Sequence, residues 1–143
     1  MDFEKKMAEL FADEDRAREM ARTMMELAQR DPKAAAREKA ALLAFLRGPM
    51  ERHMSYEEHA MFPMLVEHGL EPEVDVARKH HAALREEAKN LETATTDEDV
   101  ARAIFLASRL MLHHTNFEGD YIYPELSRDE WRALMSQTAE IKK

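Results

Sequence analysis

The chain has 143 residues, of which 45% are hydrophobic, and its 21 basic and 29 acidic side chains leave a net charge of −8. This size and composition predict one compact domain over residues 1–143, and the acidic balance without a basic stripe argues against a nucleic-acid partner. Because no apolar run is long enough to cross a membrane and no leader pattern is visible, we predict a soluble, cytoplasmic protein without a membrane partner.

Helix start and stop signals divide the chain into four long helices and a short one. We predict helices over residues 2–30, 33–67, 72–94 and 97–119, followed by a short helix at about 128–140, which is the pattern of an all-α four-helix bundle with a tail. The capping and stop signals are Asp31-Pro32, Gly69 before Pro72, Thr96 with its acidic successors, and a capping box from Ser127 to Glu130. Gly48-Pro49 should bend the second helix, and Pro63 and Pro124 should end or kink theirs.

A repeated motif occupies the second and fourth predicted helices. His53 is followed by Glu57 four residues on and then by Phe62-Pro63, and the same pattern recurs 61 residues later in His114, Glu118 and Tyr123-Pro124. On a helix, residues four apart share one face, with Cβ atoms roughly 6 Å apart. Each copy can therefore present an imidazole and a carboxylate to one metal ion. Cysteine is absent, so any metal must be held by nitrogen and oxygen ligands.

The predicted buried faces add one polar residue from each remaining long helix. Stepping three and four residues along the first helix places Glu14 among apolar neighbours, and on the third helix it selects His81 over His80. On the fourth helix the face includes His114 rather than His113 and continues to Tyr121. Three buried carboxylates would repel one another and each would be costly to desolvate, so two divalent cations would stabilise the set. The predicted metal ligands are Glu14, His53, Glu57, His81, His114 and Glu118.

Each of these residues also has a plainer interpretation. A single His or Glu on an apolar helix face is often a hydrogen-bonded core residue, and only the agreement of four faces favours a metal site. Glu14 lies in a charged segment where Asp15 or Glu19 could take its place. The abundant methionines are interpreted as flexible core filling, His59 and His68 as surface residues, and Tyr56, Tyr121 and Tyr123 as core packing or redox groups beside the motifs.

The doubled motif, HMSYEEHAMFP and HHTNFEGDYIYP, with KHHAAL on the third helix, resembles the hemerythrin-like, or HHE cation-binding, family from about Leu10 to Leu126. The resemblance implies an up-and-down four-helix bundle around a non-haem di-iron centre that meets O2, nitric oxide or peroxide. It assigns metal ligation to His53, Glu57, His81, His114 and Glu118, with the two carboxylates bridging the metals. Manganese or a mixed iron–manganese pair would accept the same donors.

The chain departs from the family pattern at three positions. Glu14 stands where the first-helix segment normally has a His ligand, Ala77 stands where the oxygen carriers have a further His, and Gly119 in the second motif corresponds to Glu58 in the first. An oxygen-rich ligand set with an open position favours reaction with O2 or hydrogen peroxide over reversible oxygen carriage. The alternatives are a non-catalytic sensor of O2, nitric oxide or iron, or an iron-handling protein, acting through a separate partner, and a metal-free helical interaction module. The protein would be a monomer or a homodimer.

Overall fold

The structure is a computed structural model and describes residues 3–141, within which all regular structure is helical. The longest helices are α1 (Phe3–Arg30), α6 (Glu71–Thr93) and α7 (Asp97–Tyr121), and the chain closes with a 3₁₀ turn at Tyr123–Glu125 and helix α8 (Arg128–Ile141). The predicted all-α class is confirmed, and these helix boundaries lie within about two residues of the predicted ones. The predicted start of the first helix, residue 2, lies outside the described residues.

The second predicted helix, residues 33–67 with a bend at Gly48-Pro49, is more interrupted than expected. The structure divides this stretch into α2 (Pro32–Ala36), α3 (Lys39–Arg47), α4 (Pro49–Tyr56), a π-helical turn at Glu57–Met61 and α5 (Phe62–Glu67). The break between α3 and α4 falls at Gly48-Pro49, as expected from the missing N–H of proline. A Cβ on Gly48 would lie only 2.8 Å from the carbonyl oxygen of Ala44, so this break is tightly packed as well as bent.

The predicted helix signals form as expected. The side chain of Asp31 accepts a hydrogen bond from the Ala34 N–H at 3.2 Å, and Thr96 accepts one from the Asp99 N–H at 3.1 Å. Ser127 and Glu130 make the two reciprocal bonds of a capping box. After α5, Gly69 adopts a φ of +89°, a backbone conformation that favours glycine and ends the helix before α6.

Helix α7 is the central packing partner. It contacts α1 and α6 along their lengths and α2 near one end, while α3 and α5 pack on α6 and α8 covers the π-helical turn. Two apolar clusters form within this arrangement: one includes Ala17, Leu84 and Met111, and the other includes Leu10, Ala77 and Ile122. Along α1, α6 and α7 the predicted ligand residues lie between these clusters, so apolar side chains enclose the site from both ends.

Two further observations concern the helix surfaces. Tyr121, which the sequence pattern placed on a buried face, is 56% exposed, because α7 ends at this residue and the inward face is not continued. His59 and His68 are exposed, which confirms their interpretation as surface residues. None of the described helices combines the length and the apolar character needed to cross a membrane.

Candidate metal centre

All six predicted ligand residues are buried, none with more than 4% of its surface exposed. The structure brings them together in two groups that share the carboxylates of Glu57 and Glu118. The first group adds His81 and His114 to this pair, and the second adds Glu14 and His53; within each group the donor atoms lie within 4.8 Å of one another. Each group could therefore hold a metal ion, and Glu57 and Glu118 belong to both groups.

The imidazole Nε2 atoms point at the carboxylates and at each other. The Nε2 of His81 lies 3.1 Å from that of His114 and 3.3 Å from Oε1 of Glu57. The Nε2 of His114 lies 2.5 Å from Oε1 of Glu118, and that of His53 lies 3.5 Å from Oε1 of Glu57 and 3.8 Å from Oε1 of Glu14. The donor atoms of each group face one another at these short distances, which is the arrangement that a bound cation would stabilise.

The first helix contributes Glu14 rather than its acidic neighbours. Glu14 is 2% exposed, whereas the Asp15 side chain is 80% exposed and Glu19 also lies on the outer face of α1. The side chains point this way because position 14 lies on the same face as Leu10, Ala17 and Ala21, which pack into the core. The alternatives Asp15 and Glu19 are therefore too far round the helix to join the cluster.

A π-helical turn begins at Glu57 and ends at Met61, where the N–H of Phe62 donates to the carbonyl oxygen of Glu57. Such turns are rare and are frequently found at functional sites. Pro63 follows immediately, and its lack of an N–H prevents the regular α-helical pattern from continuing through the preceding turn. The widened turn places Glu57, Ala60 and Met61 on the buried side together. The irregularity expected from Pro63 therefore lies in the turn before the proline, at Glu57–Met61.

Buried polar atoms without partners test whether a cation fits. Among the described residues, such atoms in the cluster are Oε1 of Glu14, Nε2 of His53, both carboxylate oxygens of Glu57 and of Glu118, and the hydroxyl of the neighbouring Tyr123. A buried donor or acceptor without a hydrogen bond costs about 1–3 kcal/mol, and more when it is charged. So many unpaired acceptors in one place would be strongly destabilising on their own. Carboxylate oxygens and an imidazole nitrogen left unpaired in this way are the ligands that a divalent cation binds, so the residues fit a cation site.

The outward nitrogen of each histidine has its own partner, which the sequence analysis did not identify. The Nδ1 of His53 lies 3.2 Å from Oδ2 of Asp13, and the Nδ1 of His81 lies 2.8 Å from Oε2 of Glu58. The Nδ1 of His114 lies 3.1 Å from the Nδ1 of His80. Partners of this kind orient imidazole ligands and direct Nε2 to the metal. Each partner directly precedes or follows a predicted ligand in sequence, and this adjacency could have marked it as a candidate.

The charges of the cluster are unevenly distributed. Burial and the nearby Glu118 raise the pKa of Glu57. Burial alone would also raise the pKa of Glu118, but His114, a hydrogen bond to Glu57 and the charge of His53 together lower it. Burial and His114 lower the pKa of His81 to about 4, so this imidazole is neutral at pH 7. Burial alone would lower the pKa of His53, but Glu57 and a hydrogen bond to Glu14 raise it to about 11. The two groups therefore differ in charge as well as in composition.

Comparison with known families agrees with this geometry. The family model described as the hemerythrin HHE cation binding domain matches residues 6–126. The chain belongs to this family. Neither the curated proteins nor the solved structures yielded a match. The hemerythrin HHE match includes all six predicted ligand residues and both copies of the repeated motif, so the buried His and Glu cluster is compatible with a cation site of this family.

Proposed function

We propose that this HHE-domain protein is a non-haem di-iron protein that binds O2 or hydrogen peroxide and reacts with it. The observation that carries the proposal is the pair of buried four-donor groups sharing Glu57 and Glu118, with the donor atoms of each group within 4.8 Å of one another. His81 and His114 would hold one metal, Glu14 and His53 the other, and the two shared carboxylates would bridge them. When bound, the metals would supply Lewis acidity and redox change.

The proposed architecture is an up-and-down four-helix bundle with α8 as an additional C-terminal helix. Helices α1, α6 and α7 and the interrupted α2–α5 stretch would form its four walls, since each contributes ligand residues and each packs on its neighbours. A single domain over residues 1–143 accords with this arrangement. The protein would be a monomer or a homodimer.

Reactivity, rather than reversible oxygen carriage, is favoured by the donor set. Three carboxylates and three imidazoles make an oxygen-rich environment, which favours hard, higher-valent cations. One turn before His81, the fully buried Ala77 offers no donor, so a position on that side remains available to water or substrate. Nitric oxide is a further small ligand of suitable size. Iron is proposed over manganese because of the family's chemistry, and manganese or a mixed pair would suit the same donors.

The remaining side chains have orienting and enclosing roles. Asp13, Glu58 and His80 hold the outward nitrogens of the three histidines, so that Nε2 faces the centre. Phe62 stacks on His81, with ring centroids 5.4 Å apart and planes inclined by 25°, which limits rotation of the imidazole and excludes water. The apolar clusters on both sides strengthen the electrostatic interactions of the buried carboxylates.

The deciding experiment measures metal identity and stoichiometry in protein purified without added metal, by plasma mass spectrometry. We expect two iron ions per chain in the parent and about one in Glu14→Ala, with Glu19→Ala, a change on the exposed face of α1, as the control that retains two. Peroxide and O2 consumption is then compared with an equal amount of free iron. Absence of bound metal would overturn the proposed metal centre. Two bound metals with reversible gas binding and no consumption would instead favour a sensor.

A further inference from the structure

The repeat seen in the sequence extends to the hydrogen-bond partners around the centre. His53 and His114 are 61 residues apart, and the helices that face them contribute Glu14 and His81, which are 67 residues apart. The residue before each of these, Asp13 or His80, contacts the Nδ1 of the facing motif histidine at 3.2 and 3.1 Å. The two halves of the site are therefore related position by position, although the residue types differ.

On the His81 half, a carboxylate and an arginine lie behind the ligand. Glu58, next to the bridging Glu57, accepts a hydrogen bond from the Nδ1 of His81 at 2.8 Å. Arg85, one turn after His81, donates to both oxygens of Glu58 at 2.8 and 2.9 Å. This half thus has an imidazole ligand, an acceptor for its outward N–H, and a cation that binds the acceptor.

On the Glu14 half, the arginine is present, but the motif has no carboxylate at the position of Glu58, and the arginine binds the exposed Asp15 at 3.1 Å instead. Arg18, one turn after Glu14, corresponds to Arg85, and Gly119, next to Glu118, corresponds to Glu58. The Nη2 of Arg18 donates to Oε2 of Glu14 at 3.3 Å and to the carbonyl oxygen of Thr115 at 3.2 Å. A Cβ on Gly119 would lie 3.3 Å from this same nitrogen, so a larger side chain would push the guanidinium away.

We propose that Arg18 is a positioning residue that orients the Glu14 carboxylate toward the second metal position, and that Gly119 determines this ligand choice by leaving room for the guanidinium. The inference rests on the proposed metal centre and deepens it. Since Arg18 occupies Oε2, only Oε1 of Glu14 remains to face the Nε2 of His53. The guanidinium also offsets part of the negative charge of the three carboxylates.

The proposal makes residues 14 and 119 an interdependent pair. A histidine at position 14 would direct its outward N–H at the Arg18 guanidinium. Both groups are hydrogen-bond donors, so the imidazole N–H would have no acceptor there. A glutamate at position 119 would place a fourth carboxylate beside Glu14 and would draw the Arg18 guanidinium away from the Glu14 carboxylate. Both changes together would reproduce the arrangement of His81, Glu58 and Arg85 on the other half. There, an imidazole donates to a carboxylate, and an arginine one turn further along the helix binds that carboxylate.

The test is a double-mutant cycle on the full chain with Glu14→His, Gly119→Glu and the double variant. The probe is Fe(II) added anaerobically to metal-free protein, with stoichiometry and affinity measured by titration. We expect each single variant to bind the second iron about 10–100-fold more weakly than the parent, the usual effect of losing an orienting partner. The double variant should recover binding of both ions. Binding by the double variant that is no better than by the weaker single variant would overturn the proposal.

The other half of the site supplies a matched test. His81→Glu places a carboxylate beside Glu58, and adding Glu58→Gly should relieve this repulsion, because Arg85 would then take the role of Arg18. We expect the pair to bind a second iron where His81→Glu alone does not, and equal loss in both would contradict the inference. Should any variant fail to fold by circular dichroism, the mirrored cycle decides.

Melting temperatures of the metal-free proteins separate failure of this inference from failure of the proposed function. In the same cycle, the effects of Glu14→His and Gly119→Glu on the melting temperature should be non-additive, so that the double variant melts at a higher temperature than the sum of the two single changes predicts. If the parent binds no metal but this coupling is present, the metal centre fails and the Arg18 arrangement stands. If the parent binds two metals but the melting temperatures show no coupling, the metal centre stands and the inference about Arg18 fails.

Discussion

Glu58 lies 2.8 Å from the Nδ1 of His81 and is itself held by two hydrogen bonds from Arg85. Burial alone would raise the pKa of Glu58, but the Arg85 hydrogen bonds and His81 lower it. Arg85 also binds Glu51, from α4, at 3.0 Å, and its own pKa is raised by the two carboxylates. A chain of charged groups therefore runs from the surface of α4 and α6 to a buried imidazole, and it fixes the direction of that imidazole.

The first prediction concerns this acceptor. Glu58→Gln keeps the size of the side chain but replaces the carboxylate that accepts from His81, so we expect binding of a metal between His81 and His114 to weaken about 10–100-fold. Competition with a chromophoric chelator measures the affinity. Glu67→Gln, an exposed change at the end of α5, serves as the control and should leave binding unaltered. Equal affinities in the two variants would show that Glu58 does not orient His81.

A second prediction concerns removal of the metal. Ions that bind only the folded chain stabilise it by mass action, by about 2.7 kcal/mol for one site at a free concentration 100 times its Kd. We therefore expect a chelator to lower the melting temperature of the protein as purified, and added Fe(II) to restore it. The double variant His53→Ala, His114→Ala should show no such response. A melting temperature indifferent to chelator in the parent would favour a metal-free interaction module.

The helix faces were predictable because they follow directly from residue spacing. Glu14, His81 and His114 were selected from charged or doubled positions by a period of three to four residues, and all three are buried. Tyr121 was placed wrongly because periodicity does not show where a helix stops facing the core. The interruption of the second helix was only partly visible: Pro49 marked one break and Pro63 predicted another irregularity, but the sequence did not show that the latter takes the form of a π turn beginning at Glu57.

The hydrogen-bond partners of the ligands could not be derived from the faces of single helices. Asp13 and His80 lie one position before a ligand, and their contacts cross to a different helix. Such contacts depend on how far neighbouring helices are shifted along one another, which a one-dimensional pattern does not contain. The difference between Glu58 and Gly119 was visible in the sequence, but its meaning required the position of Arg18.

A third prediction uses the unpaired hydroxyl of Tyr123. This buried group forms no hydrogen bond of ordinary geometry among the described residues, and burial, the carboxylates of Glu14, Glu57 and Glu118 and a poorly aligned hydrogen bond to Glu14 raise its pKa. The ring packs against Phe11 and Trp131, contacts that phenylalanine would keep. Tyr123→Phe should therefore raise the free energy of unfolding of the metal-free protein by about 1 kcal/mol, because an unsatisfied donor is removed.

Denaturant unfolding of metal-free protein measures this change. Tyr121→Phe is the matched control, since that side chain is 56% exposed and its removal should alter the free energy of unfolding by less than about 0.5 kcal/mol. If Tyr123→Phe were clearly destabilising while the control was neutral, the hydroxyl would have a partner in solution, and its placement beside the carboxylates would need revision.

The last prediction concerns protons released on metal binding. The pKa of His53 in the metal-free protein is raised to about 11, so at pH 7 this side chain carries a proton that must leave before both its nitrogens can serve Asp13 and a metal. The pKa of His81 is lowered to about 4, so its ring is already neutral and releases none. Metal affinity should therefore rise between pH 6 and 9, by about tenfold per pH unit for each proton released. Calorimetric titration in two buffers of different ionisation enthalpy counts the protons released on metal binding. His53→Gln should lower this count by one. An unchanged count would assign the released protons to Glu14 or Glu57 instead.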